Sequence, residues 1–145
     1  MEEIDTVPAP GTGLLKSTKG RAVPLEPLAG STPEAPRIPT GLAELDRVTG
    51  GGIVPASALL LGGEPGIGKS TLLLQLAASL ARSGHGTVYF SGEEAVAQLR
   101  LRAERLGLAK APVGIASETN LANILATLAD GKRPDLVVID SIQTL

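Results

Sequence analysis

The 145-residue chain contains no cysteine and one histidine, His85. Disulfides and thiolate metal sites are therefore excluded, and no set of zinc ligands is visible. Tryptophan is absent, and tyrosine and phenylalanine occur once each, so aliphatic side chains must fill the core. A base-stacking surface would need more aromatic residues than this, and we expect Tyr89 and Phe90 to lie in the core.

The chain also lacks an excess of positive charge: charged residues make up 19%, an ordinary globular share, and the formal net charge is -2. This balance does not indicate a basic surface for nucleic acid. No stretch reaches the roughly 18 consecutive apolar residues of a membrane span, and the N-terminal segment lacks the apolar centre of a signal peptide. These absences predict no membrane partner and a cytoplasmic location.

Proline is concentrated at one end of the chain. Residues 1–39 hold seven of the eleven prolines and show no apolar period, which predicts a disordered Pro-rich linker or tail. Residues 40–145 alternate predicted strands and helices, a pattern typical of an α/β fold with a parallel sheet. The predicted strands are 57–62, 87–91, 113–117 and 135–141. A first short helix is predicted to begin near Thr40, and three further helices are predicted at 69–83, 94–106 and 121–130.

One segment carries a phosphate-binding motif. GEPGIGKS, residues 63–70, matches GxxxxGK[ST] at every fixed position, with an apolar run before it and an amphipathic helix after it. Its glycines permit backbone angles at which successive N–H groups turn toward an anion, and the helix N-terminus adds its positive dipole end. The residues predicted to hold ATP are Gly63, Glu64, Pro65, Gly66, Ile67, Gly68, Lys69, Ser70 and Thr71.

Three side chains of this loop have distinct predicted tasks. Lys69 would reach the β and γ phosphates, and the Ser70 hydroxyl would occupy a coordination position on Mg²⁺. Thr71 is placed to contact the α phosphate. The alternative is a plain glycine-rich turn with an exposed lysine.

Hydrolysis also needs a metal-directed carboxylate and a base. Asp140 closes the apolar run LVVID at the sheet edge where parallel sheets bind ligands, and we expect it to hold Mg²⁺ through water; the alternative is a turn or cap aspartate. Ser91 and Glu94 match the S-x-x-E capping box, which predicts a structural task for Glu94. Glu93 is then the expected base that polarises the attacking water.

Other polar residues carry weaker predictions. His85 follows a predicted helix in a turn and is expected to be exposed rather than catalytic. Arg100, Arg102, Arg105 and Lys110 predict a solvated helix face, with a DNA-contacting or subunit-contacting edge as the alternative.

Four blocks, together covering about residues 37–145, closely resemble the ATPase core of the bacterial RadA/Sms family of RecA-like DNA repair motors. They are GLAELDRVTGGGIVPASALLLGGEPGIGKSTLLLQLA, VYFSGEEAVAQLRLRAERLGL, SETNLANIL and PDLVVIDSIQTL. The resemblance implies a RecA-like fold, with residues 63–71 as the Walker A loop, Asp140 as the Walker B acid and Glu93 as the catalytic glutamate.

The resemblance also implies an ATP-driven homo-hexamer on single-stranded and branched DNA that works with a recombinase partner in DNA repair and recombination. Another RecA-like ATPase, KaiC-like or a replicative helicase, stays an alternative. So does a nucleotide-binding chain without catalysis.

The chain departs from the family pattern in several places. Ala56 stands where the family usually has glycine, and the four-cysteine zinc finger that normally opens family members is absent, so zinc has no ligands here. The DNA-binding loops, the KNRFG motif and the Lon-protease-like domain that follow in the family are absent too, and we expect a fragment truncated at both ends.

In RecA-like sheets a further strand inserts between the Walker A and Walker B strands, and this chain lacks it. We therefore expect strands 57–62 and 135–141 either to leave an unpaired gap of roughly 10 Å or to pair directly and misplace Asp140. Either outcome predicts a partial core, marginally stable and catalytically poor alone.

Overall fold

The chain divides into two units, Met1–Pro33 and Glu34–Leu145. The computed structural model describes residues 20–145. Within the first unit, residues 20–33 are exposed and contain no helix or strand. Part of the predicted disordered tail, residues 1–19, lies outside the described residues, so the tail and its boundary at residue 39 stay predictions.

The second unit alternates helices and strands, as the sequence predicts. None of the helices within residues 20–145 is long and apolar enough to cross a membrane. The elements are α1 (Ala43–Thr49), α2 (Lys69–Arg82), β1 (Thr87–Ser91), α3 (Val96–Arg105), β2 (Val113–Ser117), α4 (Leu121–Ala129), β3 (Leu136–Asp140) and a 3-10 turn (Ile142–Thr144).

The three strands form one parallel sheet in the order β2-β1-β3. The register places Ser91, the last residue of β1, opposite Ser117 of β2 and Asp140 of β3. This sheet with its flanking helices confirms the predicted α/β class. Because the strands are parallel and in step, their carboxyl ends meet at one edge, where ligands of such sheets bind.

The core lies between the sheet and helices α2 and α3. Its central cluster joins Leu74 and Ala77 of α2 to Tyr89, Leu99 and Val138. β1 is the middle strand and is covered on both faces, which is why its sequence is apolar almost without alternation. Tyr89 and its neighbour Phe90 are fully buried, so the prediction that they belong to the core is confirmed.

The predicted strand at 57–62 is wrong. These residues form no strand, and their leucines point outward, with Leu60 85% exposed. A strand requires a hydrogen-bonded neighbour, and within residues 20–145 no strand pairs with this segment. The segment does not pair with β3, so the expected direct pairing is wrong, and the expected gap of roughly 10 Å stays a prediction.

Helix α1 begins later than Thr40, because Leu42 occupies the N-cap position. Buried Thr40 instead holds the helix from its side: its hydroxyl and its N–H both donate to Asp46 Oδ1, at 2.6 and 2.8 Å. The hydroxyl bond, followed by the N–H bond, lowers the pKa of Asp46 below its ordinary value. Gly50 ends the helix as expected, with φ of 75° in the left-handed region.

Candidate functional site

The loop of residues 63–68 uses its glycines in two ways. Gly66 and Gly68 have φ of 81° and 95°, a region that side chains rarely allow. Gly63 lies outside that region, but a Cβ there would come within 3.2 Å of Ile67 Cγ2 and 3.4 Å of a Lys69 side-chain carbon. The first of the three predicted glycines therefore serves close packing, while the other two serve the turn.

The loop leads directly into the N-terminus of α2, with Gly68 in the cap position. The first bond of this helix runs from Leu72 N to Gly68 O, at 3.0 Å. No acceptor within residues 20–145 takes the N–H groups of Gly66, Gly68 and residues 69–71. These donors and the positive end of the helix dipole together make a site suited to an anion.

Lys69 turns back over the loop. Its Nζ donates to the carbonyl oxygens of Gly63 and Glu64, the latter at 3.4 Å. Phosphate oxygens are stronger acceptors for an ammonium group than neutral carbonyls. The side chain is therefore held next to the loop by contacts that a phosphate can replace.

A cleft of about 580 Å³ separates this loop from the carboxyl ends of β1 and β3. Of the loop residues predicted from sequence, Gly63, Glu64 and Ile67 do not line it. The predicted polar side chains that do line it are Lys69, Ser70, Thr71, Glu93 and Asp140. The fold thus brings together residues up to 71 positions apart in the chain, counted from Lys69 to Asp140.

Asp140 is only 7% exposed, and its two carboxylate oxygens have different surroundings. Tyr89 donates its hydroxyl to Oδ2 at 2.6 Å. Burial, with this bond second, raises the pKa of Tyr89, so its hydroxyl stays protonated and remains a donor. In the described residues every fully buried side-chain oxygen has a partner, and Oδ1 of Asp140 has none, so Oδ1 is the oxygen that reaches the cleft.

The two adjacent glutamates are held differently. The exposed Glu93 accepts a hydrogen bond from Ser141 Oγ at 2.9 Å, which links the ends of β1 and β3. Glu94 forms a partly buried ion pair with Arg102, at 2.8 Å. The carboxylate of Glu94 is therefore paired with a cation, whereas that of Glu93 has, among the described residues, only a neutral side-chain donor.

Only half of the predicted capping box forms. Ser91 Oγ accepts from Glu94 N at 2.9 Å, but the Glu94 carboxylate does not return to Ser91. The helix begins at Val96 instead, and the Gln98 side chain accepts from Ala95 N at 3.2 Å. Residues 92–94 form a bend before α3 begins, and Glu94 pairs with Arg102 of that helix.

Sequence patterns missed one component of the cleft. Arg102 and Arg105 line it, although the predicted alternatives for them were a solvated face or a contact with DNA or a subunit. A signal was present: Arg102 follows the buried Leu99 by three positions and precedes Leu106 by four, which places it on the inward stripe of α3. Arg100 lies off that stripe and is exposed, as predicted.

His85 lies outside the cleft. Its side chain is partly exposed, and Nδ1 is 3.9 Å from Asp135 Oδ2. Residues 20–145 contain no group of three His, Cys, Asp or Glu side chains suited to a metal ion. Mg²⁺ does not require such a group, because it is held by one or two protein oxygens together with water and phosphate. Ser70 and Asp140 fit that requirement from opposite walls of the cleft.

The chain is similar to known ATPases. Residues 38–113, just over half of it, match the family described as ATPase: KaiC. A protein of Brucella abortus named DNA repair protein RadA is 62% identical over 136 residues, 91% of this chain. Proteins of the same name from Rickettsia conorii and Bacillus subtilis are 53% and 49% identical over 81% and 79% of the chain. The chain spans 29%, 27% and 25% of the lengths of these three curated relatives.

Proposed function

Since the chain belongs to the KaiC family of ATPases, we propose that it binds ATP with Mg²⁺ in the cleft between the loop 63–68 and the strand ends, and that it hydrolyses the γ phosphate. One observation carries the proposal. The loop with its unpaired N–H donors faces the buried Asp140, whose Oδ1 is free to reach the cleft. An anion site and a metal-directed carboxylate in one cleft are the two parts that phosphoryl transfer requires.

The loop residues would hold the triphosphate. The N–H groups of Gly66, Gly68 and residues 69–71 would donate to phosphate oxygens, and Lys69 would exchange the carbonyls of its own loop for the β and γ phosphates. The Ser70 hydroxyl and, through water, Asp140 would hold Mg²⁺. When bound, the metal ion supplies positive charge that offsets the charge of the phosphate oxygens.

Glu93 would accept the proton of the attacking water. Its carboxylate lines the cleft, and no cationic side chain among residues 20–145 forms an ion pair with it, so it is available as a base. The bond from Ser141 restrains one oxygen and leaves the other for water. Glu94 is a poorer candidate, because the guanidinium of Arg102 holds its carboxylate.

The name of the relatives supports a wider task. We propose that this chain forms part of a RadA/Sms-type motor in DNA repair and recombination, acting on single-stranded and branched DNA as a homo-hexamer in the cytoplasm with a recombinase partner. The charge of the chain adds no support for direct DNA contact, since its net value is -2. DNA contact is therefore assigned to the assembly.

A second candidate function is nucleotide binding without turnover. The observation that favours it is the segment 57–62, which lies outside the sheet, so the loop is held firmly only on its α2 side. Catalysis requires positioning to within fractions of an ångström, whereas binding tolerates more freedom.

The test combines calorimetric ATP binding with measurement of phosphate release by the 145-residue chain. Lys69→Ala should abolish binding, while Lys110→Ala, at an exposed position away from the cleft, should not. Glu93→Gln should keep binding and lose hydrolysis by about a hundredfold or more, and Glu94→Gln should lose far less.

Three results would separate the candidates. Binding by the unmodified chain without turnover that depends on Mg²⁺ selects the second function. Equal losses of hydrolysis in Glu93→Gln and Glu94→Gln would refute the assignment of Glu93 as the base. ATP binding that persists in Lys69→Ala would refute the proposed location of the binding site.

A further inference from the structure

Tyr89 is the one tyrosine of the chain, and it lies beside the proposed metal-directed carboxylate. In the parallel register Tyr89 stands opposite Val138. Asp140 lies two residues farther along β3 and therefore faces the same side of the sheet. The tyrosine ring spans this diagonal, and its hydroxyl reaches Asp140 Oδ2 at 2.6 Å.

Packing alone does not account for this residue. The ring is completely buried in the core cluster, where a phenylalanine would fill the same space without a polar atom. A buried hydroxyl lowers stability unless it finds a partner, and here the partner is a carboxylate 51 positions away in the chain. The hydroxyl must therefore be considered together with Asp140.

The contact fixes which oxygen of Asp140 is available. Among the described residues Tyr89 is the only side chain that donates to this carboxylate, and it takes Oδ2. Rotation of the carboxylate group would break a short hydrogen bond in a buried environment. Oδ1 is consequently held toward the cleft, which Ser70 also lines.

We propose that Tyr89 is a positioning residue for Mg²⁺: its hydroxyl holds Asp140 Oδ2 and so presents Oδ1 to the metal ion or to its coordinated water. The inference rests on the proposed ATP-binding function. It deepens that function by assigning the orientation of the carboxylate to a core residue of the neighbouring strand. Tyr89 does not line the cleft and would act only through Asp140.

The first test is calorimetric titration of the chain with ATP, in EDTA and at increasing Mg²⁺ concentrations. Tyr89→Phe should leave ATP affinity in EDTA within about twofold of the unmodified chain, because the loop is untouched. The Mg²⁺ concentration at half-maximal effect should rise by about fivefold or more, because Asp140 loses its restraint.

Thr87→Val is the matched control. It also removes a buried hydroxyl from β1, but that hydroxyl donates to His85 O at 3.0 Å, at the other end of the strand. Its Mg²⁺ requirement should stay that of the unmodified chain. A structural effect on the sheet would appear in both variants and in EDTA as well as in Mg²⁺.

A second measurement uses the unmodified chain and does not depend on the folding of a variant. Because tryptophan is absent, the tyrosine emission comes from Tyr89 alone, and a phenol hydrogen-bonded to a carboxylate emits weakly. Mg²⁺ with inorganic triphosphate, which does not absorb in this range, should increase the emission as the metal draws charge from Asp140. Asp140→Asn should remove this response.

The outcomes distinguish the two proposals. If the unmodified chain binds ATP in neither buffer, the proposed function is wrong and this inference falls with it. If the unmodified chain binds ATP but Tyr89→Phe keeps the same Mg²⁺ requirement, only the inference is overturned. An emission that ignores Mg²⁺ and triphosphate overturns it as well.

Discussion

Helix α4 is attached to the rest of its unit through one fully buried side chain, Ile124, which is 1% exposed. The neighbouring Leu121 and Leu125 are exposed. An isolated helix of 9 residues is marginal in water, and the Asn120 cap adds only about 1 kcal/mol. The stability of α4 therefore depends on Ile124, and Ile124→Ala should release the helix.

The expected magnitude follows from burial. Replacing a buried isoleucine by alanine costs about 2–5 kcal/mol. Even the lower value corresponds to an equilibrium constant for opening of α4 roughly 30-fold larger, because about 1.4 kcal/mol is a factor of ten. Native-state hydrogen exchange should show this acceleration in the amides of α4, while the amides of β1 keep their protection because the core cluster is intact.

Leu125→Ala provides the matched control, one position along the same helix and 57% exposed in the unmodified chain. It should change the opening free energy of α4 by less than about 0.5 kcal/mol. Equal acceleration in the two variants would refute the reasoning. So would equal acceleration in α4 and β1 for Ile124→Ala, because α4 would then unfold only with the whole unit.

Two further predictions concern single contacts. Near pH 7 the unfolding temperature of Asp46→Asn should be lower than that of the unmodified chain. Because folding lowers the pKa of Asp46, this difference in unfolding temperature should vanish as the pH falls through about 3.9 toward the folded pKa. A difference that does not depend on pH would contradict this prediction. In Gly92→Ala the new Cβ would overlap Thr144 Oγ1 and lie 2.7 Å from Thr144 Cβ. Thermal unfolding should therefore show a loss of about 1–3 kcal/mol in the free energy of unfolding, and adding Thr144→Gly should largely restore it. If the double variant shows no recovery, the clash lies elsewhere.

Local patterns predicted most of the architecture. β1 and β2 begin and end at the predicted residues, and β3 is one residue shorter at each end. Helices α2 and α4 begin at the predicted residues, and the other predicted helix limits differ from the structure by one to three residues, where caps rather than apolar period decide. The family match and the named relatives confirm the RecA-like fold class and the resemblance to RadA/Sms proteins.

The error at 57–62 has a non-local cause. An apolar run shows that a segment could be buried, but a strand also requires a neighbouring strand close enough to form backbone hydrogen bonds with it. That requirement depends on the order of the strands, which the run itself does not contain. In the structure the segment has no neighbour, and its leucines are exposed.

The candidate site was likewise predicted only in part from the sequence. From the sequence alone it could be predicted that four side chains lie close together, because loops at the carboxyl ends of parallel strands share one edge of the sheet. These are Lys69, Ser70, Glu93 and Asp140. Their tasks in catalysis stay predictions. The bond from Tyr89 to Asp140 depends on strand register, which sequence does not show, and was therefore missed.

Within residues 20–145 no strand pairs with the outer edge of β3, which has a consequence for the behaviour of the chain in concentrated solution. An unpaired row of backbone groups is a template for strands of other molecules, and native proteins usually protect it with charge, proline or a covering element. Here the run SALLLGG at 57–63, uncharged and without proline, is exposed in every molecule as a segment able to add to such an edge. We expect light scattering to rise steeply with concentration, and a lysine in place of Leu60 to suppress it.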